Sequence, residues 1–229
     1  LLAAVAAVLA VGFVVVERRT RAPMLDLGLF TRPAFLAATV AATVTGGGII
    51  ALLSTMAGFL DGALGIDAFG AAWLLLAWSG PSVVTALLAR RLPPSFGGRQ
   101  QLVAGLLVVA LGQLLLSGVG PDATWVRFLP GLLVAGVASG VVNSALGREA
   151  VASVPAGRAG MGSGANNTAR YVGSAIGVGV VSAILGAPRS GPPVEALVDG
   201  WNVAALVTAG VTAVGGVVVA LCRERAPRG

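Results

Sequence analysis

The chain has 229 residues, of which 56% are hydrophobic and only 10% are charged, and its formal net charge is +6. Soluble domains carry about 25% charged residues, so this composition excludes a soluble globular protein. A membrane-spanning helix needs about 20 mostly apolar residues. The apolar runs of this chain are that long and are unbroken, which also excludes the short alternating segments of a β-barrel. We therefore predict an all-α, polytopic membrane protein.

The residue types that support most enzyme chemistry are scarce. The chain contains no His, and Cys222 is its single cysteine. A zinc or haem site is therefore not expected, and a Ser–His–Asp or Cys–His arrangement is excluded. The basic residues are spread between the apolar runs, so we do not expect a nucleic-acid-binding protein. The sequence predicts no enzyme, no catalytic residue, no metal site and no cofactor.

The predicted elements follow in chain order. Residues 1–16 are apolar and would rise about 24 Å as a helix, less than the hydrocarbon core of about 30 Å, so we expect them to be the end of a truncated transmembrane helix. Residues 17–33 form a predicted cytoplasmic linker, residues 34–221 a six-helix transmembrane half-domain, and residues 222–229 a cytoplasmic tail. The six spans are predicted at 34–60, 69–89, 102–119, 125–146, 162–185 and 201–221, with a Pro/Gly-rich loop over 187–200.

The arginines orient these spans. The connections on one side hold 13 of the 15 arginines, and those on the other side hold 2, Arg127 and Arg189. Cytoplasmic connections carry the Lys/Arg excess, so we place the 17–33 linker and the C-terminus in the cytoplasm of a multi-pass plasma-membrane protein. Trp125 and Trp201 then lie at the opposite interface, where aromatic belts are found.

Asn143 is the most interior polar side chain of the predicted spans. Ser139 lies one helical turn before it, and Gln113 is a polar residue of another predicted span. Polar groups inside a membrane are costly and usually face the bundle interior. One interpretation is that these residues line a substrate cavity, and the other is that they hydrogen-bond a neighbouring helix. The sequence leaves both open.

Asn166, Asn167 and Arg170 are three or four residues apart at the start of a predicted span. This spacing places them close together on a helix. They form either a cytoplasmic gate or an exposed helix start that meets water and headgroups.

The glycines suggest where helices pack. Gly46, Gly47 and Gly48 lie in the middle of a span, where they weaken the helix, and they are either a hinge or a site of close packing. Two further pairs are spaced four residues apart, which favours close helix–helix contact. These pairs are Gly136 with Gly140 and Gly173 with Gly177.

Three segments carry a resemblance to a known family. Residues 22–35 include Ala-Pro-Met-Leu-Asp-Leu, and residues 89–99 form a short basic loop with Arg91 and Arg99. Residues 154–164 read Val-Pro-Ala-Gly-Arg-Ala-Gly-Met-Gly-Ser-Gly and lead into Asn166. Together they resemble the 14-helix drug:proton antiporter branch of the major facilitator superfamily. One departure is Pro94, which stands where the family loop usually has Asp.

The resemblance implies the C-terminal six-helix half of a transporter that works by alternating access. It implies proton-coupled efflux of drugs or antibiotics, driven by the proton gradient, with the basic loop as part of the cytoplasmic gate. The expected partners are membrane lipids, an amphipathic small-molecule substrate and the missing N-terminal half, which would hold the proton-coupling residue. The alternative is a truncated or non-transporting membrane assembly subunit without activity of its own.

Overall fold

The computed structural model describes residues 2–20, 24–93 and 96–222. Pro94 therefore lies outside the described residues, as do residues 21–23 and the tail beyond 222. The described chain is built of helices. They are α1 (Leu2–Arg19), α2 (Pro33–Thr45), α3 (Ala51–Leu64), α4 (Ala68–Leu88), α5 (Gly98–Leu115), α6 (Leu129–Ala152), α7 (Ala159–Leu185) and α8 (Pro193–Leu221).

Six stretches of the described helices are long and apolar enough to cross a membrane. The turn Gly46–Ile50, which is π-helical, joins α2 and α3 into one span, and a short 3₁₀ turn, Trp125–Phe128, extends α6 at its start. The six spans are Pro33–Leu64, Ala68–Leu88, Gly98–Leu115, Trp125–Ala152, Ala159–Leu185 and Pro193–Leu221. The prediction of an all-α integral membrane protein with six spans is confirmed.

The start of α8 and the end of α6 differ most from the predicted boundaries. α8 begins at Pro193 and not at Trp201, so the prediction of a loop that continues to Gly200 was wrong. Proline fits the first turn of a helix because the N–H that it lacks would have no intrahelical acceptor there. The carboxylate of Glu195 in the same turn stabilises the helix by its interaction with the positive end of the helix dipole. α6 continues to Ala152, which places Arg148 on a helix instead of in a loop.

The bundle is organised around α6, which packs between α4 and α5. α5 packs in turn on α8, and the α2–α3 span packs on α7 and α8. Both predicted glycine pairs lie at such contacts. A Cβ atom at Gly136 or Gly140 would overlap the backbone of α4, and one at Gly173 or Gly177 would overlap the backbone of the α2–α3 span. The prediction of close helix contact is confirmed.

An aromatic cluster fills the bundle near the start of α8. The indole of Trp201 stacks on Phe59 with ring centroids 4.4 Å apart, and Phe128 meets both rings edge-on. Trp201 is fully buried, and its Nε1 donates a hydrogen bond to the Leu116 carbonyl at 2.9 Å. The prediction that Trp201 belongs to an interfacial belt was wrong, because hydropathy gives the depth of a residue and not the helix face on which it lies.

Candidate functional site

The three consecutive glycines form the junction of the α2–α3 span with its neighbours. A Cβ atom at Gly46 would overlap the Arg170 carbonyl of α7, and one at Gly48 would overlap the Thr212 hydroxyl of α8. Gly47 is less tight, because a Cβ there would lie 3.1 Å from the Gly173 carbonyl oxygen. The glycines therefore allow close packing at a π-helical turn, a feature that is frequent at functional sites.

Gln113 of α5 lies beside this junction. Its side chain is fully buried, and within the described part of the chain neither its amide nitrogen nor its amide oxygen has a hydrogen-bond partner. The ideal Cβ position at Gly48 is 3.5 Å from Gln113 Nε2. An unpaired buried amide is costly, so Gln113 is a polar group that the packed bundle leaves unsatisfied.

Ser139 and Asn143 have different surroundings, although they are one turn apart on α6. The Ser139 hydroxyl is buried and accepts a hydrogen bond from Trp78 Nε1 at 3.3 Å, which is the contact expected of interhelical packing. Asn143 is half-buried and lines an open groove of about 630 Å³ between α4 and α6. Asn143 therefore has an open groove beside it, whereas the side chains of Ser139 and Gln113 are buried.

The predicted gate residues on α7 separate into two groups. Arg170 Nη2 donates to Asn167 Oδ1 at 2.9 Å, and the guanidinium lies 5.8 Å from the centroid of the Tyr171 ring. Asn166 is instead buried, and its Nδ2 has no partner among the described residues. Asn166 takes no part in the Asn167–Arg170 contact, because its side chain turns into the bundle while the other two are more exposed, and its gate role stays a prediction.

The basic loop contributes two further arginines. Arg91 is exposed. Arg99 Nη1 donates to the carbonyl oxygens of Ala220 and Cys222, both at 3.4 Å, and so links the start of α5 to the end of α8. In the described chain no hydrogen bond joins either residue to Arg170, and the gate role of the five residues stays a prediction.

A polar network that sequence reasoning missed links α5 to α6 at the same end. Arg148 donates from Nη1 to Ser144 Oγ at 2.9 Å and from Nη2 to Gln101 Oε1. Gln101 is buried, and its Nε2 donates to the Phe96 carbonyl at 2.7 Å. The four-residue spacing of Ser144 and Arg148 was a signal for this contact, and the predicted end of the helix at residue 146 concealed it.

Comparisons with known proteins agree on one family. The profile described as Major Facilitator Superfamily matches residues 1–178. The chain is 34% identical over 189 residues to a triacylglyceride transporter of Mycolicibacterium hassiacum, an alignment that covers 78% of this chain and 35% of that protein.

Two Streptomyces proteins are similar over comparable stretches. A probable actinorhodin transporter of Streptomyces coelicolor is 34% identical over 173 residues, which cover 73% of this chain and 30% of the relative. A puromycin resistance protein of Streptomyces alboniger is 29% identical over 216 residues, which cover 88% of this chain and 43% of the relative. The chain thus spans well under half the length of these relatives.

Proposed function

We propose, since the chain belongs to the Major Facilitator Superfamily, that it is the C-terminal six-helix half of an exporter of amphipathic drugs or antibiotics in the plasma membrane. One observation carries this proposal: relatives named multidrug resistance protein, multidrug efflux pump and puromycin resistance protein align across most of the chain. The six spans supply a helical half-domain of the kind that such a transporter needs.

The proposed mechanism is alternating access, in which two halves rock about a site near the bilayer midplane. The partner of this half would be an N-terminal half outside the present chain. Asn143 is proposed to face the substrate path, since it lines an open groove. The turn Gly46–Ile50 is the proposed hinge, because it is π-helical, a feature frequent at functional sites, and lies beside the unsatisfied Gln113.

Proton coupling needs a titratable group in the transport path. In the six described spans the carboxylates lie toward the helix ends, on Asp61, Glu149, Glu195 and Asp199. We therefore propose that the proton-coupling carboxylate belongs to the other half. The orientation proposed from the arginines puts the C-terminus, the basic loop and the Asn167–Arg170 pair in the cytoplasm.

The gate assignment can be tested with Arg170→Ala in the transporter expressed from its complete gene. The Arg170 guanidinium is proposed to contact the other half at the cytoplasmic end, so its removal should weaken closure there and drug resistance at matched expression should fall several-fold. Arg158→Ala is the control, because Arg158 is an exposed residue of the preceding turn and carries the same charge. Unchanged resistance in Arg170→Ala would remove the gate role, and the absence of efflux by the unmutated transporter would favour the non-transporting assembly subunit.

A further inference from the structure

Three spans meet at the side chain of Gln113 inside the bundle. Gln113 lies on α5, Gly48 lies in the π-helical turn of the α2–α3 span, and Thr212 lies on α8. Gly48 is 15 residues from the start of its span, Pro33–Leu64, and 16 residues from the end. The meeting point therefore lies near the middle of a span, away from the headgroups on both sides of the membrane.

The distances around Gly48 show how close the polar groups of the other two spans are. A Cβ atom at Gly48 would overlap the Thr212 hydroxyl oxygen and would lie 3.5 Å from Gln113 Nε2. The hydroxyl oxygen and the amide nitrogen are therefore less than about 6 Å apart, yet no direct hydrogen bond joins them in the described chain. That limit includes the separation of about 4.5–5.5 Å at which one small molecule can bond both atoms.

These polar groups have hydrogen-bonding capacity to spare. Thr212 Oγ1 donates its proton to the Thr208 carbonyl at 2.8 Å, so the hydroxyl oxygen remains available as an acceptor. Gln113 is fully buried, and neither its Nε2 nor its Oε1 has a partner among the described residues. Unpaired amide atoms are costly in the interior of a membrane protein, so a ligand that pairs them is strongly favoured.

The amide restricts the class of ligand. A cation would pair with Oε1 and leave the Nε2 donors unpaired, and an anion would do the reverse. Counter-charges for a cation are also distant: Asp61 is 13 residues from Gly48 along the α2–α3 span, or about 20 Å. Asp199 is equally far from Thr212 on α8. Water both donates and accepts, so it can serve both atoms of the amide without bringing a charge into the bundle.

We propose that buried water binds at this meeting point and bridges Gln113 Nε2 to Thr212 Oγ1. The water accepts a hydrogen bond from the amide nitrogen and donates one to the hydroxyl oxygen, and water also supplies the donor for Oε1. The adjacent turn Gly46–Ile50 is irregular, because the Ala51 N–H is shared between two carbonyl oxygens. Ordered water commonly accompanies such turns in membrane helices. The site does not depend on the transport proposal.

Solution NMR of the protein in deuterated detergent micelles tests the site. The glutamines are Gln100, Gln101 and Gln113, so ¹⁵N-labelled glutamine gives three side-chain amide groups, and Gln113→Leu assigns one of them by its loss. We expect the Gln113 amide protons to show cross-peaks to water that have opposite signs in NOESY and ROESY spectra, as a long-lived bound water produces. Cross-peaks of equal sign, which indicate proton exchange alone, would overturn the site, and so would the absence of any cross-peak.

Thr212→Val and Thr208→Val form a matched pair. Both hydroxyls are buried on α8, and both donate to a carbonyl oxygen four residues earlier. Thr212→Val removes the acceptor for the bridging water and keeps the side-chain volume, so the cross-peak between Gln113 and water should lose most of its intensity. Thr208→Val should leave that cross-peak unchanged. Equal effects of the two changes, whether two losses or none, would overturn the bridge.

Two further measurements separate water from the alternatives. Replacing choline chloride with sodium chloride at equal ionic strength should leave the Gln113 amide shifts unchanged, and a sodium-dependent shift would assign the site to a cation instead. Gln113→Leu should not raise the midpoint of thermal unfolding, because the unmutated amide is hydrogen-bonded. A higher midpoint would show that the amide is unpaired and that no water binds it. Thermal unfolding of the two threonine variants excludes misfolding as the cause of their effects.

Discussion

The two ends of the helix bundle use their polar side chains in different ways. At the Trp201 end, which contains the α5–α6 and α7–α8 connections, Trp201, Asn202, Arg127 and Arg189 all hydrogen-bond backbone groups at helix ends or in connections. At the Arg148 end, which contains the start of α5 and the end of α6, Arg99 also bonds helix-end carbonyls, but here side chains bond other side chains as well, as Arg148 does with Gln101 and Ser144.

The difference extends to packing. The centre of the Trp201 end is filled by the stacked rings of Phe59 and Trp201, with Phe128 against them, and one open groove of about 440 Å³ lies beside Trp125. At the Arg148 end lie three open grooves of about 490, 670 and 630 Å³. Bonds to backbone hold helix ends in place, whereas an exposed side chain such as that of Arg148 can exchange its bond for one to water at little cost. We therefore expect the Trp201 end to be the rigid part of the bundle and the Arg148 end to be the adaptable part.

The largest expected effect is that of Trp201→Ala. It removes a fully buried ring, leaves a cavity beside Phe59 and Phe128, and removes a donor to the Leu116 carbonyl. Buried aromatic-to-alanine changes cost about 3–5 kcal/mol, and we expect a loss of that size in the free energy of unfolding, measured by denaturant titration in micelles.

Trp125→Ala is the matched control at the same end of the bundle. The Trp125 side chain is 55% exposed, so its removal should change the free energy of unfolding by less than about 1 kcal/mol. Equal losses for the two tryptophans would show that the aromatic cluster does not hold this end together.

The spans were predictable from sequence because a bilayer imposes a minimum length on each apolar run. The close contacts of Gly136, Gly140, Gly173 and Gly177 were predictable for a related reason: two small residues four positions apart remove side chains from one face of a helix. Each of these two signals comes from residues that are close together in sequence and lie on a single helix.

The positions of individual side chains were less predictable. Trp201 and Leu116 are 85 residues apart in sequence, and Gln101 and Arg148 are 47 apart. Hydropathy fixes how deep such residues lie, but not how each helix is rotated about its axis. The burial of Asn166 and Trp201 depends on that rotation, which is set by neighbours from distant parts of the chain.

Asn202→Leu should have an intermediate effect at the Trp201 end. Asn202 Oδ1 accepts from the Val119 N–H and its Nδ2 donates to the Val119 carbonyl, both at 2.9 Å. Losing both bonds leaves two backbone groups of the α5–α6 connection unpaired, so we expect the free energy of unfolding to fall by about 1–2 kcal/mol. Asn167→Leu on the exposed surface of α7 is the control, and a loss there as large as that of Asn202→Leu would contradict the contrast between the two ends.

The smallest expected effect is that of Gln101→Leu at the Arg148 end. The change removes the donor to the Phe96 carbonyl and the acceptor for Arg148. Arg148 is exposed and can donate to water instead. The main cost is therefore the hydrogen bond that the Phe96 carbonyl loses. Interhelical hydrogen bonds in membranes average about 0.6 kcal/mol, and we expect a loss of that order in micelles, below the loss for Asn202→Leu. A loss above that of Asn202→Leu would mean that the Gln101–Arg148 contact holds α5 and α6 together, and that the Arg148 end is as rigid as the Trp201 end.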